Sequence, residues 1–333
     1  MSSIAFAGAT KHRIASFLTL NRIVLHVAAR HCIGKKMAPD WDILTEVGIR
    51  FIRHQFTYAM TCGDIEQGRA RFDSLFPKTP DIYPVSIRST ADETAKWFIP
   101  ENCNTDTVVL YFHGGGYTFR GQVSDRFAQM LAHHTQARVF MPLYRLTPEH
   151  AHPAQAEDAI AAWQDLTSHT PPNQIAVIGD SAGGHMALML LQSLKRLDLK
   201  QPALCVGLSP WTDIGERGDS MTANNPTDFV QGWMALKFGR WLDPNNAYGR
   251  EALSPIGHDF KGLAPIYIQA GGREMLRDMI VEFARQQDAK GADINIDVWD
   301  DMPHDFQAYD TTKTSSTQAL KQIATRVRKA TNA

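Results

Sequence analysis

Between residues 80 and 210 the chain alternates short apolar runs with longer stretches whose apolar positions recur every three or four residues. The short runs predict strands near 84–88, 94–99, 107–112, 138–141, 175–179 and 203–208. The periodic stretches predict helices near 123–134, 154–168 and 182–196. Two more strands are expected near 266–270 and 294–299, with helices near 277–290 and 315–329. Such alternation predicts a mostly parallel eight-stranded sheet with helices on both faces and right-handed crossovers. The first two strands, joined by Ser89-Thr90-Ala91-Asp92-Glu93, predict an antiparallel edge. Residues 211–262 interrupt the pattern. They hold Trp211, Phe229, Trp233, Met234, Phe238 and Trp241 between turns at Asn224-Asn225-Pro226 and Asp243-Pro244-Asn245-Asn246. Most of these aromatics suit a small satellite core, with a minority lining a pocket; Phe51, Phe56, Tyr58 and Met60 carry the same double reading.

The predicted elements frame one sharp motif. Gly179-Asp180-Ser181-Ala182-Gly183-Gly184 stands between the strand run Ile175-Ala176-Val177-Ile178 and the helical run Met186-Ala187-Leu188-Met189-Leu190-Leu191. Strand, tight turn and helix in that order form the Gly-x-Ser-x-Gly nucleophile elbow, which exposes a strained serine at the tip of a sheet. Strand and helix backbones pass so close there that positions 179 and 183 require glycine. The alternative, an ordinary loop serine, lacks this framing.

A second motif, His113-Gly114-Gly115-Gly116-Tyr117, follows the strand run Thr107-Val108-Val109-Leu110-Tyr111-Phe112, 68 residues before Ser181. Consecutive glycines leave backbone N–H groups free to converge on one oxygen, which is what acyl transfer needs as charge develops on the carbonyl. Gly115, Gly116 and Ala182 are therefore the candidate oxyanion hole. His113 reads as a hydrogen-bonder that shapes the loop. The base is expected late in the chain, because triad order in such a fold is Ser, acid, His. His304 qualifies, in Asp301-Met302-Pro303-His304-Asp305-Phe306 after the last predicted strand; His258 precedes a strand instead. Glu274 follows the strand Ile266-Tyr267-Ile268-Gln269-Ala270 and is the preferred acid, able to hold the second imidazole nitrogen. Asp278, one helical turn later, more naturally caps or pairs with a neighbour.

Taken together, the chain resembles the hormone-sensitive-lipase-like (bacterial family IV) esterases of the α/β-hydrolase superfamily over about residues 80–330. The resemblance rests on the two motifs above, on Tyr144-Arg145-Leu146-Thr147-Pro148-Glu149-His150 with Pro153-Ala154, on Ser209-Pro210-Trp211-Thr212-Asp213, and on Met302 to Phe306. It implies an α/β-hydrolase core of residues 80–210 and 263–333. It also implies a helical cap over the serine, from an N-terminal segment, residues 1–79, and an insertion, residues 211–262. A small-molecule ester is the implied substrate, with no cofactor and no metal; pairing into a homodimer through the last strand and helix is a family expectation. Three positions depart from the family pattern. Glu274 stands where an Asp is usual, Leu143 stands where an Asp usually precedes Tyr-Arg-Leu, and Asp305 replaces the Gly of His-Gly-Phe. The second leaves Arg145 to find another acid.

Composition narrows the alternatives. The 34 basic and 35 acidic residues give a net charge of −1, which implies no general attraction to nucleic acid or anionic membrane. Cys32, Cys62, Cys103 and Cys205 are far apart, with no Cys-x-x-Cys, and fit a reducing cytoplasm rather than zinc or a disulfide framework. No apolar run is long enough to cross a bilayer, so no stable membrane insertion is expected; residues 14–29 are broken by Asn21, Arg22 and His26. The first 39 residues carry six Lys or Arg and no acid. Within them Ile14, Phe17, Leu18, Leu25 and Ala28 share one helical face. That face is read as the start of a lid packed on the core, ahead of a targeting or membrane-contact segment. The expected activity is serine carboxylesterase action on short- to medium-chain esters. A lactone hydrolase, amidase or arylformamidase could use the same residues. A non-catalytic receptor on this fold would be expected to lack His304.

Overall fold

The computed structural model describes residues 8–74, 82–103 and 106–331. Three helices come first: α1 (Thr10–Cys32), α2 (Ile43–Thr61) and α3 (Ile65–Asp73). The expected boundary between residues 79 and 80 lies outside the described residues. Then follow β1 (Val85–Ser89), β2 (Ala95–Pro100), β3 (Val108–Phe112), α4 (Gln122–Thr135), β4 (Arg138–Pro142), α5 (Ala154–Thr167), β5 (Ile175–Asp180), α6 (Ala182–Arg196) and β6 (Leu204–Leu208). Residues 211–262 carry α7 (Ser220–Ala223), α8 (Gly232–Leu242) and α9 (Arg250–Leu253). The chain closes with β7 (Ile266–Gly271), α10 (Arg277–Ala289), β8 (Ile294–Trp299) and α11 (Thr314–Thr331).

The eight strands form one sheet in the order β1-β2-β4-β3-β5-β6-β7-β8. β1 and β2, and β2 and β4, pair antiparallel, and every other pair is parallel. Side chains alternate between the faces of a strand, so each central strand feeds two cores. Leu110 and Phe112 of β3 and Val177 of β5 join the core under α5, α6 and α10. Val109, Tyr111 and Ile178 join the core under α4 and α11. Every residue of β3, β5 and β6 is buried, which is why these strands read as unbroken apolar runs. Each large side chain sealed this way contributes about 1.5–3 kcal/mol.

The fold class and elements agree with expectation to within a residue or two. The exception is α1. Its predicted stripe does not pack on the core, because Ile14, Phe17, Leu18 and Leu25 are each more than half exposed. The buried positions are His12, Ser16 and Val27 on the other side. Ser16 Oγ lies 3.0 Å from Ser74 Oγ and accepts from Gln55, whose side-chain carbonyl accepts from Arg71. A polar network therefore helps seat the helix. The missing acid beside Arg145 is supplied by α5. Asp158 accepts from the guanidinium at 2.7 and 2.9 Å and Glu157 at 2.9 Å.

Candidate active site

Ser181 sits at the turn between β5 and α6 with φ 51° and ψ −117°, a left-handed backbone that a non-glycine residue adopts only when its surroundings hold it. Its N–H donates to the carbonyl of Leu208 at 2.8 Å, and its carbonyl accepts from Trp211 at 3.1 Å. The close approach expected of the flanking glycines is present. A Cβ on Gly183 would lie 1.9 Å from the Phe112 oxygen, and one on Gly179 would lie 2.1 Å from the Gly183 oxygen.

The glycine loop after β3 lines the same cavity, which has a volume of about 180 Å³ and also holds Ser181, Ala182 and His304. Gly116 has φ 62°, and a Cβ there would strike the Phe238 ring at 2.5 Å. The Gly114 N–H is occupied, donating to Asp180 Oδ1 at 2.9 Å, and the Tyr111 hydroxyl donates to the same oxygen at 2.6 Å. Gly115 and Gly116 both line the cavity beside Ser181. His113 is a packing residue. Its ring stacks on Tyr144 at 4.2 Å, its Nδ1 bonds the Gly114 carbonyl at 2.7 Å, and burial pushes its pKa down to about 3. Tyr117, the next residue, is fixed by a 2.6 Å bond to Nδ1 of His185, whose Nε2 bonds the Leu253 carbonyl. The glycine loop is thus braced from α6 and α9.

His304 and Glu274 meet, both fully buried. Nδ1 of the imidazole lies 3.0 Å from Glu274 Oε2. Asp278 takes no part in this contact. Its carboxylate accepts from the Ser220 N–H at 2.8 Å and pairs with Arg277 at 2.6 Å, fastening the start of α7. Burial raises the Glu274 carboxyl, opposed by His304 and Ser209.

Three residues escaped the sequence reading. Asn224 Nδ2 donates to the carbonyls of Gly272 and Glu274, and Thr227 Oγ1 donates to that of Arg273. Asp228, fully buried, accepts from the Met275 N–H at 2.7 Å. The insertion thereby clamps the turn that carries Glu274. Its only sequence trace is the Asn-Asn-Pro turn, which does not reveal what it grips.

Asp305 also has a place in the site. It adopts φ 49°, and its N–H donates to Ser209 Oγ at 3.1 Å. Its Oδ2 lies 3.3 Å from Nε2 of His304, the nitrogen opposite Glu274. Burial alone would lower the imidazole pKa, but Asp305, then Glu274 and Asp228, outweigh it and push the value up to about 10. Burial raises the Asp305 carboxyl as well, with Asp180 adding to it. The 3.3 Å approach is a charge contact and not a hydrogen bond, and Nε2 has no hydrogen-bond partner among the described residues.

The remaining walls are apolar. Phe56 stacks on Phe72 at 4.8 Å and meets Phe119, Phe229 and Phe238. These rings line the cavity from α2, α3, the glycine loop and the insertion. Phe51 and Met60 are buried packing, whereas Tyr58 and Trp233 are exposed. Among the described residues, no group of three or more His, Cys, Asp or Glu could hold a metal ion, and no helix is long and apolar enough to cross a membrane.

Comparison with known proteins matches this architecture. A family model described as alpha/beta hydrolase fold matches residues 109–308. An acetyl-hydrolase of Streptomyces hygroscopicus is 28% identical over 81% of this chain and 91% of its own length. An esterase of Acinetobacter venetianus is 28% identical over 75% of this chain and 83% of its own length. The crystal structure of an esterase from the bacterial hormone-sensitive lipase family superposes with a TM-score of 0.73 at 28% identity, covering 94% of this chain and 98% of that one.

Proposed function

Because the chain belongs to the alpha/beta hydrolase fold family, within its hormone-sensitive-lipase-like esterases, it is a carboxylic ester hydrolase, and we propose that it cleaves short- to medium-chain esters by way of an acyl group carried on Ser181. The observation that carries this reading is the buried His304–Glu274 contact beside the cavity that Ser181 lines. Nε2 of His304 removes the hydroxyl proton as Ser181 Oγ bonds to the ester carbonyl carbon. The N–H groups of Gly115, Gly116 and Ala182 receive the developing oxyanion. The same Nε2 then returns its proton to the departing alcohol oxygen as the C–O bond breaks. Water, deprotonated in turn by His304, attacks the acyl-serine and releases the acid. Glu274 holds Nδ1–H throughout and stabilises the imidazolium.

The phenylalanine walls and modest cavity favour short acyl groups. On a p-nitrophenyl series from acetate to palmitate, kcat/KM should peak at the short to medium esters and fall at the longest. A rate that climbs through palmitate, or a lactone or anilide preferred to every ester, would count against the substrate class.

The Asp305 contact predicts an unusual pH profile. The base must present an unprotonated Nε2, so activity rises with pH as His304, whose pKa the neighbouring carboxylates raise, gives up its proton. Carboxylates facing the ring from the β7 turn, from the insertion and from its own loop all hold that proton, namely Glu274, Asp228 and Asp305. Asp180, from the end of β5, adds a fourth negative group nearby. Asp305→Asn removes one of these charges, and asparagine tolerates the left-handed backbone. The acidic limb of the kcat/KM profile should then move down by about 1–3 pH units, with a matching gain in rate near neutrality. An unmoved limb would remove Asp305 from the account.

A further inference from the structure

The outward face of α1 is a feature that the catalytic reading leaves unused. The helix is held from one side, by Ser16 and Thr19 against Ser74, Gln55 and Arg71 and by Leu20 and Ile23 against the main core. Its other side presents Ile14, Phe17, Leu18, Val24 and Leu25 to solvent, with Leu25 72% exposed. At 100° per residue Ile14, Phe17, Leu18, Asn21 and Leu25 fall within an arc of about 100°. Arg13 lies to one side of that arc and Lys11 and Arg22 to the other, and all three are exposed. Exposed Lys35 and Lys36 follow the helix. The first acidic residue of the chain is Asp40.

We infer that α1 is a lipid-docking helix, laid flat on an anionic bilayer surface with its apolar stripe in the interface and Lys11, Arg13 and Arg22 against the headgroups. Three features select this occupant. All the charge carried by α1 itself is basic, which suits an anionic plane, although the Asp64 carboxylate lies near Lys11. The exposed apolar positions run from Ile14 to Leu25, about 17 Å along the helix. Its apolar side chains are arrayed along one line, a form that inserts into headgroups at shallow depth and cannot span the bilayer. This role is independent of the catalytic reading.

Sedimentation of the full chain with vesicles tests it. The protein should pellet with phosphatidylcholine vesicles containing phosphatidylglycerol, poorly with phosphatidylcholine alone, and less as salt rises. Phe17→Glu/Leu25→Glu should weaken the anionic-vesicle binding by about tenfold or more, and Arg13→Glu/Arg22→Glu should remove its preference for anionic lipid. Both double variants replace exposed residues away from the cavity, so hydrolysis of a water-soluble ester should not change. The proposal is overturned if wild-type protein stays in the supernatant with anionic vesicles, or if the stripe variant pellets as wild type does. It is also overturned if light scattering finds a dimer that Phe17→Glu/Leu25→Glu dissociates while vesicles bind neither form, since the stripe then belongs to a second copy.

Discussion

Ser181→Ala is expected to fold normally and to lose ester hydrolysis by about 10⁶-fold, the scale seen when a hydrolase loses its nucleophile. The fold should survive because the contacts that hold the elbow are made by the backbone. The Ser181 N–H reaches Leu208 and its carbonyl accepts from Trp211, and alanine keeps both. Alanine also meets the same backbone strain at φ 51° as serine does. A change in stability within about 1 kcal/mol is expected, read as an unshifted denaturant midpoint. What disappears is the oxygen that bonds to the acyl carbon. A variant that retains more than a trace of turnover would move the nucleophile elsewhere.

Glu274→Ala and Asp278→Ala should separate by orders of magnitude, although the two carboxylates stand four positions apart. Glu274 lies 3.0 Å from Nδ1 of His304 with both side chains buried. Its loss removes the group that orients the ring and balances the imidazolium, a change that lowers kcat by about 10⁴-fold in triads of this kind. Asp278 instead accepts from the Ser220 N–H and pairs with Arg277. Its removal loosens α7 and should cost stability, with a fall in kcat of about tenfold or less. Steady-state kinetics beside a denaturant titration distinguishes the two effects. The opposite ranking in kcat would transfer the acid's role to Asp278.

The sheet was legible in the chain because its central strands are sealed on both sides and are apolar at most positions. The elbow and the glycine loop were legible because close backbone approach restricts which residues fit, as the 1.9 Å clearance at Gly183 illustrates. What the chain hid was the partnership between distant segments. Asn224, Thr227 and Asp228 grip the Glu274 turn from about 50 residues away, and each is an ordinary polar residue until that turn is in place. Arg145 lost its expected acid at position 143 and found Asp158 one helix later. Asp305 showed only as a departure from the His-Gly-Phe pattern, because only the folded loop brings its carboxylate to the imidazole. For α1 the periodicity was sound and its direction was not. Helical periodicity locates an apolar stripe, but it cannot tell a core-facing side from a solvent-facing one.

The most direct test of the catalytic account is intact-mass and peptide mass spectrometry after exposure to a p-nitrophenyl organophosphonate. The account predicts loss of p-nitrophenolate and a single stoichiometric adduct on the peptide that carries Ser181. Labelling should slow sharply in His304→Gln and be absent in Ser181→Ala. An adduct on another residue, or ester turnover that continues undiminished in enzyme fully labelled at Ser181, would contradict it.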